Sequence, residues 1–381
     1  MKFIHLGDLH LGKNVNDFSM IEDQKYILNR IIDLVKEESA DAVILAGDIY
    51  DRTVPSEEAV KVLDNFLTEL ASMGKMVFAV SGNHDSDERL NFGSQLFKSN
   101  NIYIAGRYDG KIECIDIKDE HGNLHIWLMP YVKASRVAHY FPEADTCTYD
   151  AAFRTAIADC KINADERNLI VVHQFVTGVS SEPETAGSET MLMNVGTLDR
   201  VGADCFDDFD YVAMGHIHSS QPVGRETCRY SGSLLKYSLN TREINKDKTI
   251  PVVTMSEKGN VKVDLRKIKP LREVRHIKGT IRELLKNAVD TDDYIYATLT
   301  DEETQLDAMA RMQEVYPHIM KLDYDNRATR AITESEEYFD TEGKSFDQMI
   351  ADFFQIYHGQ QPGENEWKLI EDVAREAGVI Q

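Results

Sequence analysis

Five short apolar runs lie in the first two thirds of the chain, and a glycine or a polar side chain follows each of them. The runs are Phe3-Ile4-His5-Leu6, Ala42-Val43-Ile44-Leu45-Ala46, Met76-Val77-Phe78-Ala79-Val80, Leu169-Ile170-Val171-Val172 and Tyr211-Val212-Ala213-Met214. Short apolar runs that end at turn residues are typical of strands buried on both faces. Apolar residues recur at helical spacing between some of the runs, at residues 27–35 and 60–70. Strands that alternate with helices predict a largely parallel α/β sheet.

The residues that follow these predicted strands are carboxylates, an amide and imidazoles. They are Asp8 and His10 after the first strand, Asp48 after the second, Asn83 after the third, His173 after the fourth, and His216 and His218 after the fifth. Each one alone is also typical of an ordinary turn or surface position. Because ligands gather beyond the carboxyl ends of parallel strands, the whole set predicts a metal centre at one edge of the sheet.

The donor types narrow the choice of metal and of reaction. Imidazoles and oxygen donors without a thiolate suit Mn, Fe or Zn better than Mg alone. Seven ligands are too many for one ion, whereas two ions about 3.5–4 Å apart, bridged by one carboxylate, would use them all. Two such ions activate water and offset charge at phosphorus, which predicts in-line hydrolysis of a phosphate ester.

The motifs around these residues resemble those of the calcineurin-like metallophosphoesterase superfamily over residues 1 to about 265. They are D-x-H from Asp8, G-D-x-x-D from Gly47, G-N-H-D from Gly82, the strand-end His173, and G-H-x-H from Gly215. More narrowly, GDIYDRTVP followed by EEAV, and the later Tyr230-Ser231-Gly232-Ser233, are similar to the SbcD family of bacterial nuclease subunits. The resemblance implies an α/β fold in which helices flank a β-sandwich (αββα). It also implies a small α/β capping domain and a C-terminal two-helix arm.

Activity and partners follow from the same resemblance. It implies a metal-dependent DNA nuclease subunit with double-strand exonuclease and single-strand endonuclease activity, which processes DNA ends and hairpins. The implied partners are DNA and an SbcC-like ABC-type ATPase, with a homodimer of this chain inside a heterotetramer. The implied location is cytoplasmic and nucleoid-associated, without a membrane. The implied cofactors are two divalent ions, with Mn²⁺ preferred over Mg²⁺, Fe²⁺ or Zn²⁺.

The resemblance also implies a role for each site residue. Asp8, His10 and His218 would hold the first metal. Asn83, His173 and His216 would hold the second, and Asp48 would bridge both. His84 would face the scissile phosphate as a transition-state stabiliser or as the leaving-group acid. Asp51 would orient His84, as in related phosphatases, or serve equally well as a turn or helix-capping carboxylate. Archaeal relatives carry a His at the position of Asp51, so a strand-opening role is not carried over.

The last third of the chain has a different pattern. A short β-α-β-α-β succession follows Pro270, and an acidic stretch then leads into two amphipathic helices. These changes predict a nuclease domain over residues 1–269, a capping domain over 270–333, and an acidic linker with a helical arm over 334–381.

The two predicted helices of the arm each carry an apolar stripe. The stripes are Phe346, Met349, Ile350, Phe353, Phe354 and Tyr357, then Trp367, Ile370, Val373, Ala374 and Ala377. Such stripes usually fold back onto their own domain. The acidic stretch before them instead favours a tethered arm that docks on a partner, and the resemblance implies the ATPase. The chain has no G-x-x-x-x-G-K-[ST] motif, so any ATP dependence must come from a partner.

Composition adds constraints on partners and compartment. The formal net charge is −23, which argues against a general nucleic-acid coat or a membrane-surface binder. The best local basic candidates are Lys246, Lys248, Arg266, Lys267, Lys269, Arg272 and Arg275. The five cysteines are scattered and odd in number, which indicates reduced thiols. No apolar run approaches the ~18 residues of a membrane span.

Two other functions compete with the nuclease. Another calcineurin-like phosphoesterase, such as a protein phosphatase or a nucleotide phosphodiesterase, would use the same core. The serine/threonine protein phosphatases, however, have GNHE where this chain has GNHD, and they lack the cap and arm. A non-catalytic scaffold is disfavoured because the ligand set is complete.

Overall fold

The computed structural model describes residues 1–178, 182–189, 200–327, 329–330, 346–358 and 361–376. Two compact units divide the chain, Met1–Arg275 and His276–Gln381. None of the described helices is long and apolar enough to cross a membrane. All five cysteines are free thiols.

The described residues contain nineteen strands, most of them short. In chain order they are β1 (Lys2–Leu6), β2 (Asn14–Val15), β3 (Phe18–Ser19), β4 (Ala42–Ala46), β5 (Met76–Val80), β6 (Ile102–Ala105), β7 (Glu113–Asp119), β8 (Gly122–Met129), β9 (Arg167–His173), β10 (Phe175–Thr177), β11 (Arg200–Gly202), β12 (Tyr211–Gly215), β13 (Gln221–Val223), β14 (Arg225–Tyr230), β15 (Thr249–Met255), β16 (Val261–Lys267), β17 (Val274–Gly279), β18 (Tyr294–Leu299) and β19 (Ile319–Tyr324).

The α-helices range from one turn to nearly five turns. In chain order they are α1 (Ile21–Glu37), α2 (Glu57–Ser72), α3 (Asp87–Asn91), α4 (Ser94–Phe97), α5 (Ala134–Tyr140), α6 (Tyr149–Ala158), α7 (Thr241–Ile244), α8 (Ile281–Lys286), α9 (Ala308–Gln313), α10 (Phe346–His358) and α11 (Glu364–Glu376).

Two six-stranded sheets form the first unit. Their strand orders are β16-β15-β1-β4-β5-β6 and β13-β14-β12-β9-β8-β7. Apolar side chains of both sheets join one buried cluster between them, for example Phe3, Ala46, Phe78, Ile126, Val171 and Tyr211. A second buried cluster joins the other face of the second sheet to α5 and α6. The predicted helix-flanked β-sandwich is confirmed.

The strands that carry the site motifs are divided between the two sheets. The first sheet contains β1, β4 and β5 as parallel neighbours, and the second contains β9 and β12 as parallel neighbours. Each sheet also has antiparallel strands at its edges, β15 and β16 in the first, β13 and β7 in the second. The predicted parallel arrangement is confirmed at the centre of each sheet, but the five strands are divided between two sheets and do not lie side by side in one. Apolar runs identify buried strands, but the distant pairings that assign each strand to a sheet leave no local pattern.

The loop after β4 passes directly into α2, which supports the first sheet. The Ser56 side chain caps the helix by accepting a hydrogen bond from Ala59 N, and two acidic residues, Glu57 and Glu58, lie in the first turn. Such a cap and the acidic first turn both offset the exposed amide groups of a helix start. The end of this loop at Ser56 is thereby fixed to the start of α2.

The second unit begins at His276 and contains a small sheet of order β17-β18-β19. β18 and β19 are parallel, as a crossover through α9 requires, and a capping box of Thr280 and Glu283 starts α8. Apolar residues of these elements form a separate buried cluster. The predicted linker at residues 334–345 lies outside the described residues. The predicted boundaries at 269/270 and 333/334 stay predictions.

Candidate metal centre

The backbone is left-handed at four of the predicted ligands. Asp8 (φ 52°), His10 (φ 45°), Asp48 (φ 47°) and His216 (φ 104°) all have positive φ values, although none is glycine. Such conformations cost about 1–3 kcal/mol each and persist where the surrounding structure imposes them, commonly at functional sites. Their concentration at these strand ends indicates that the loops are shaped for the side chains they present.

Two glycines of the motifs are needed because other site residues lie against them. A Cβ atom on Gly82 would collide with the carboxylate and backbone nitrogen of Asp48. A Cβ atom on Gly47, which has a φ of +80°, would collide with the His173 ring. The loops after β4 and β5 and the end of β9 therefore approach one another more closely than any other residue type would permit.

Asp48 lies at the centre of the cluster. Its Oδ2 atom is 3.6 Å from His10 Nε2, 3.4 Å from His173 Nε2 and 4.0 Å from His84 Nε2. Its Oδ1 atom accepts a hydrogen bond of 2.9 Å from His84 N. The side chain is almost fully buried. Asp48 thus lies between two groups of donors, one on each side.

One group of donors surrounds Asn83. The Oδ1 atom of Asn83 lies 3.1 Å from His173 Nε2 and 3.0 Å from His216 Nδ1. His173 Nδ1 donates to Ala46 O at 2.8 Å, which fixes the ring and leaves Nε2 directed at Asn83 and Asp48. A hydrogen bond to the distal nitrogen is how proteins orient imidazole ligands.

The other group contains Asp8, His10 and His218. The Nε2 atoms of His10 and His218 are 3.1 Å apart, and one ligand atom from each of the three residues fits within a common 4.8 Å. Asp8 accepts hydrogen bonds of 2.9 and 3.1 Å from His216 N, which ties the loop after β1 to the loop after β12. The structure thus brings all seven predicted ligands into one contiguous cluster.

The electrostatics of the cluster fit divalent cations. Burial raises the pKa of Asp8 to about 7, and burial with the charge of His173 lowers the pKa of His216 to about 3. Burial opposes ionisation of Asp48 and His173, but each one's charge favours the other, so the pKa of Asp48 is lowered and that of His173 is raised to about 9. No Lys or Arg among the described residues pairs with Asp8 or Asp48. Buried carboxylates need a compensating charge, and these oxygen and imidazole donors match a divalent ion.

His84 lies at the solvent-facing edge of the cluster. Its side chain is 23% exposed, and its ring packs edge-on against His10 at 4.9 Å between centroids. The Nδ1 atom of His84 donates to the backbone carbonyl of Asp51 at 3.0 Å. His84 is therefore oriented by backbone and remains accessible to a substrate.

The expected contact between the Asp51 carboxylate and His84 is absent from the described hydrogen bonds and ion pairs. The carboxylate instead lies 3.3 Å from His10 Nδ1 and 2.8 Å from Lys13 Nζ. Although burial opposes it, hydrogen bonds from His10 and Lys13 lower the pKa of Asp51 to about 2. Any orienting role of Asp51 towards His84 runs through its carbonyl oxygen, because Lys13, which belongs to none of the motifs, holds the carboxylate elsewhere.

Asp85 holds two loops of the site together but is not among the predicted metal ligands. Its carboxylate accepts hydrogen bonds from Ile49 N (3.1 Å), Tyr50 N (2.8 Å) and Gly82 N (2.9 Å). Burial, followed by the charge of Asp48, raises the pKa of Asp85. One carboxylate therefore clamps the loop after β4 to the loop after β5. The G-N-H-D motif contains Asp85, but this role depends on a distant loop.

Gln24, on α1, supports the loop that carries His10. Its Oε1 atom accepts from Gly12 N at 2.9 Å, and its Nε2 atom donates to His10 O at 2.7 Å. The Tyr237 hydroxyl donates to Leu9 O at 2.6 Å. The sequence alone does not predict these contacts. In the sequence Gln24 and Tyr237 are ordinary polar residues, and only the fold buries them beside this loop.

A polar network holds the far side of His218. Ser188 Oγ lies 2.6 Å from His218 Nδ1, and Glu243 accepts hydrogen bonds from Ser238 Oγ (2.8 Å) and Lys248 Nζ (2.6 Å). Lys248 Nζ also donates to His218 O at 3.1 Å. Lys248, a predicted basic candidate, thus helps to hold the predicted ligand His218 in place.

Most of the predicted basic candidates are engaged in ion pairs. The pairs are Lys246 with Glu184, Lys248 with Glu243, Arg266 with Glu38, Lys267 with Asp247 and Arg272 with Asp23. Because each cation already faces a carboxylate, these residues offer less net charge to a phosphate than the sequence alone indicates.

Comparisons with known proteins add sequence evidence. The chain matches the family described as "Calcineurin-like phosphoesterase" over residues 1–220. It matches the family described as "Type 5 capsule protein repressor C-terminal domain" over residues 270–357. A curated protein of Staphylococcus epidermidis, named as the D subunit of the nuclease SbcCD, is 31% identical over 328 residues, which cover 84% of this chain and 85% of that protein.

Among solved structures, the similarity is low. A dimetal phosphatase from Danio rerio has a TM-score of 0.40 and 13% identity, over 71% of this chain and 98% of that chain. A Thermus thermophilus protein has a TM-score of 0.40 and 10% identity, over 70% of this chain and 99% of that chain. The sequence matches, and not these two structures, are the basis for a family assignment.

Proposed function

Since this chain belongs to the calcineurin-like phosphoesterase family and, within it, to the family of SbcD nuclease subunits, we propose that it is a metal-dependent DNA nuclease subunit that hydrolyses phosphodiester bonds. The observation that carries the proposal is the cluster around Asp48, where seven donors, five of them buried, lie close together. The proposed activities are double-strand exonuclease and single-strand endonuclease, acting on DNA ends and hairpins. The alternative, a protein phosphatase or nucleotide phosphodiesterase, has no observation of its own in its favour.

We propose one role for each of the seven donors. Asp8, His10 and His218 would hold one ion, Asn83, His173 and His216 the other, and Asp48 would contact both. When bound, two divalent ions lower the pKa of water and offset charge on a phosphoryl oxygen. The donor set contains no thiolate and favours Mn²⁺, with Fe²⁺, Zn²⁺ and Mg²⁺ as the other candidates.

His84 is the proposed proton donor or electrostatic stabiliser. The Asp51 carbonyl can only accept, so His84 Nδ1 carries the proton of that hydrogen bond. The second nitrogen, Nε2, is then the atom that exchanges a proton with the leaving oxygen when the ring becomes an imidazolium. The exposure of this side chain supports contact with a substrate.

The acidic charge supports the proposal that DNA affinity depends on assembly. A chain with a net charge of −23 gains little from phosphate neutralisation by itself. We infer a homodimer that works with an SbcC-like ABC ATPase on nucleoid DNA in the cytoplasm. The curated relative carries the name of one subunit of an SbcCD assembly, which supports this inference.

A substrate comparison tests the proposed function. The full chain, loaded with Mn²⁺, is expected to degrade linear DNA and a small aryl phosphodiester, and to leave a phosphopeptide intact. The rate on DNA should fall to background after chelation and return with Mn²⁺, with Mg²⁺, Fe²⁺ and Zn²⁺ as comparisons. Faster hydrolysis of the phosphopeptide than of either diester would instead support the phosphatase alternative.

The two helices α10 and α11 supply a test of the proposed docking. On α11, Trp367 is half-buried and Leu369 is 66% exposed, so the helix presents apolar surface. Aromatic anchors at interfaces often cost about 2 kcal/mol or more when truncated. Trp367→Ala with Leu369→Ala should therefore weaken the complex with the ATPase by more than about tenfold, measured by titration of the purified subunits.

The same double variant separates docking from catalysis. Cleavage of single strands by the isolated chain should stay within about twofold of the parent, because all proposed metal ligands lie between Asp8 and His218. Duplex degradation that requires ATP should be lost. A variant that binds the ATPase as tightly as the parent would refute the docking role of α11.

A further inference from the structure

A cavity of about 590 Å³ lies beside the metal centre in the first unit. The metal-site side of its wall includes Gly82 and Asn83, and most of the rest comes from the loops after β6 and β8 and from α5. Tyr131 also lines the cavity, and its ring centroid is 6.4 Å from that of His173. The cavity therefore borders the proposed ligand Asn83, with Tyr131 between it and His173, and its volume falls in the usual range for ligand sites.

Three cationic side chains line this cavity, although the chain as a whole is strongly acidic. They are Arg107, Lys133 and Arg136. The carboxylates in the wall are Asp85 and Asp87, and Asp85 is occupied by three backbone amides of the metal-site loops. The wall thus holds one more cation than carboxylates, whereas acids greatly outnumber bases in the chain as a whole.

Two of these cations have no carboxylate partner among the described residues. Lys133 is exposed and has no carboxylate partner in the part of the chain that the structure describes. Arg136 donates from Nε to the carbonyl of Tyr108 at 3.1 Å and lies over the Tyr140 ring at 5.6 Å. Its Nη2 atom is shielded from solvent and has no hydrogen-bond partner among the described residues. Arg107 has a long ion pair of 3.6 Å with Glu88.

A second cavity, on the opposite side of the metal centre, offers less unpaired positive charge. It has a volume of about 470 Å³ and is lined by His218, and its wall holds three cations, Arg242, Lys246 and Lys248, and three carboxylates, Glu184, Glu243 and Asp247. Lys246 pairs with Glu184 and Lys248 with Glu243, so their charge is largely neutralised. Of these two cavities, the one beside Asn83 is the better anion site.

We propose that the cavity beside Asn83 binds the phosphodiester backbone of the nucleic-acid strand next to the scissile bond, with Lys133 and Arg136 contacting its phosphates. The proposal rests on the nuclease function proposed above. An Arg guanidinium and a Lys ammonium are the groups that proteins use for backbone phosphates, and Tyr131 offers an aromatic ring for an adjacent base. The strand would enter the metal centre past Asn83.

The test compares two charge-matched variants of the full chain. Lys133→Gln with Arg136→Gln removes the proposed phosphate contacts. Lys75→Gln with Lys118→Gln removes the same charge at the opposite end of the strands, just before β5 and near the β7–β8 turn. Among the described residues, neither control lysine forms an ion pair or lies in the cavity wall.

Binding of a short single-stranded oligothymidylate to the metal-free chain is measured by fluorescence anisotropy at several salt concentrations. Each lost phosphate contact lowers the magnitude of the slope of log K against log salt by about 0.7 for a single strand. The cavity variant should therefore lose about 1.4 from this slope, whereas the control variant should keep the slope of the parent. An equal slope in both variants would overturn the proposal.

Kinetics with Mn²⁺ give the second readout. The ratio of kcat/KM on the oligonucleotide to kcat/KM on a small aryl phosphodiester should fall at least about tenfold in the cavity variant, because the small diester has no flanking phosphates.

Lys133→Gln alone, at an exposed position that cannot affect folding strongly, should lower the salt slope by about 0.7.

The two proposals fail in different ways. A parent chain that cleaves no DNA but whose salt slope depends on Lys133 and Arg136 would refute the nuclease and keep the strand-binding cavity. A parent chain that cleaves DNA, with a cavity variant indistinguishable from the control in slope and ratio, would refute the cavity alone.

Discussion

Substitution of Asp48 by Asn should abolish hydrolysis and metal binding together. The Asp48 carboxylate approaches His10 on one side and His173 on the other, at 3.6 and 3.4 Å. Asn has nearly the same shape but no charge, so both groups of donors would lose their shared anion. We expect less than one tightly bound ion per chain by elemental analysis. A loss of several kcal/mol of transition-state stabilisation corresponds to a rate at least about a thousandfold lower.

Asp64→Asn is the matched control for this substitution. Asp64 lies on an exposed position of α2 and has no described ion-pair partner, so the same chemical change there should alter neither metal content nor rate. Thermal unfolding checks that the Asp48 variant remains folded. Two ions per chain and the parental rate in Asp48→Asn would show that the bridging assignment is wrong.

The elements of this fold were predictable where local sequence determines them. The runs that became β1, β4, β5, β9 and β12 are mostly apolar, and burial on both faces follows from that composition. The sequence could not assign them to two sheets, because the assignment depends on distant pairings. The partner of β1 on one side is β15, which begins more than 240 residues later. Such pairings leave no signal within a strand.

The candidate site was also predictable only in part. The motifs placed the polar side chains at strand ends, and the structure brings them together, although their roles as ligands stay predictions. The role of Asp85 depends on amides of another loop, and the partner of the Asp51 carboxylate depends on the position of Lys13. Lys133 and Arg136 belong to no motif, since their relation to Asn83 exists only after β5 and β8 pack in the sandwich. The positive charge beside Asn83 therefore depends on the fold and could not be predicted from the local sequence.

Substitution of His84 by Gln should slow DNA cleavage by about 10²–10⁴-fold while both ions remain bound. The side chain is more exposed than those of His10 and His173, and its Nε2 atom is 4.0 Å from Asp48 Oδ2. The backbone amide of His84, which bonds Asp48, is unchanged by the substitution. Elemental analysis and oligonucleotide anisotropy should therefore match the parent. His121→Gln, at the turn between β7 and β8, provides a control without effect on rate.

The choice of substrate then separates the two roles of His84. An aryl leaving group departs as a stabilised anion and needs little protonation, whereas the alkoxide of a sugar needs an acid. If His84 donates a proton to the leaving oxygen, His84→Gln should lower the rate by about 10²–10⁴-fold on DNA but by less than about tenfold on the aryl phosphodiester. Equal losses on both substrates would identify His84 as an electrostatic stabiliser of the phosphoryl group. Loss of a bound ion in the variant would contradict both roles and make His84 a ligand, because its imidazole would then be contributing to metal affinity.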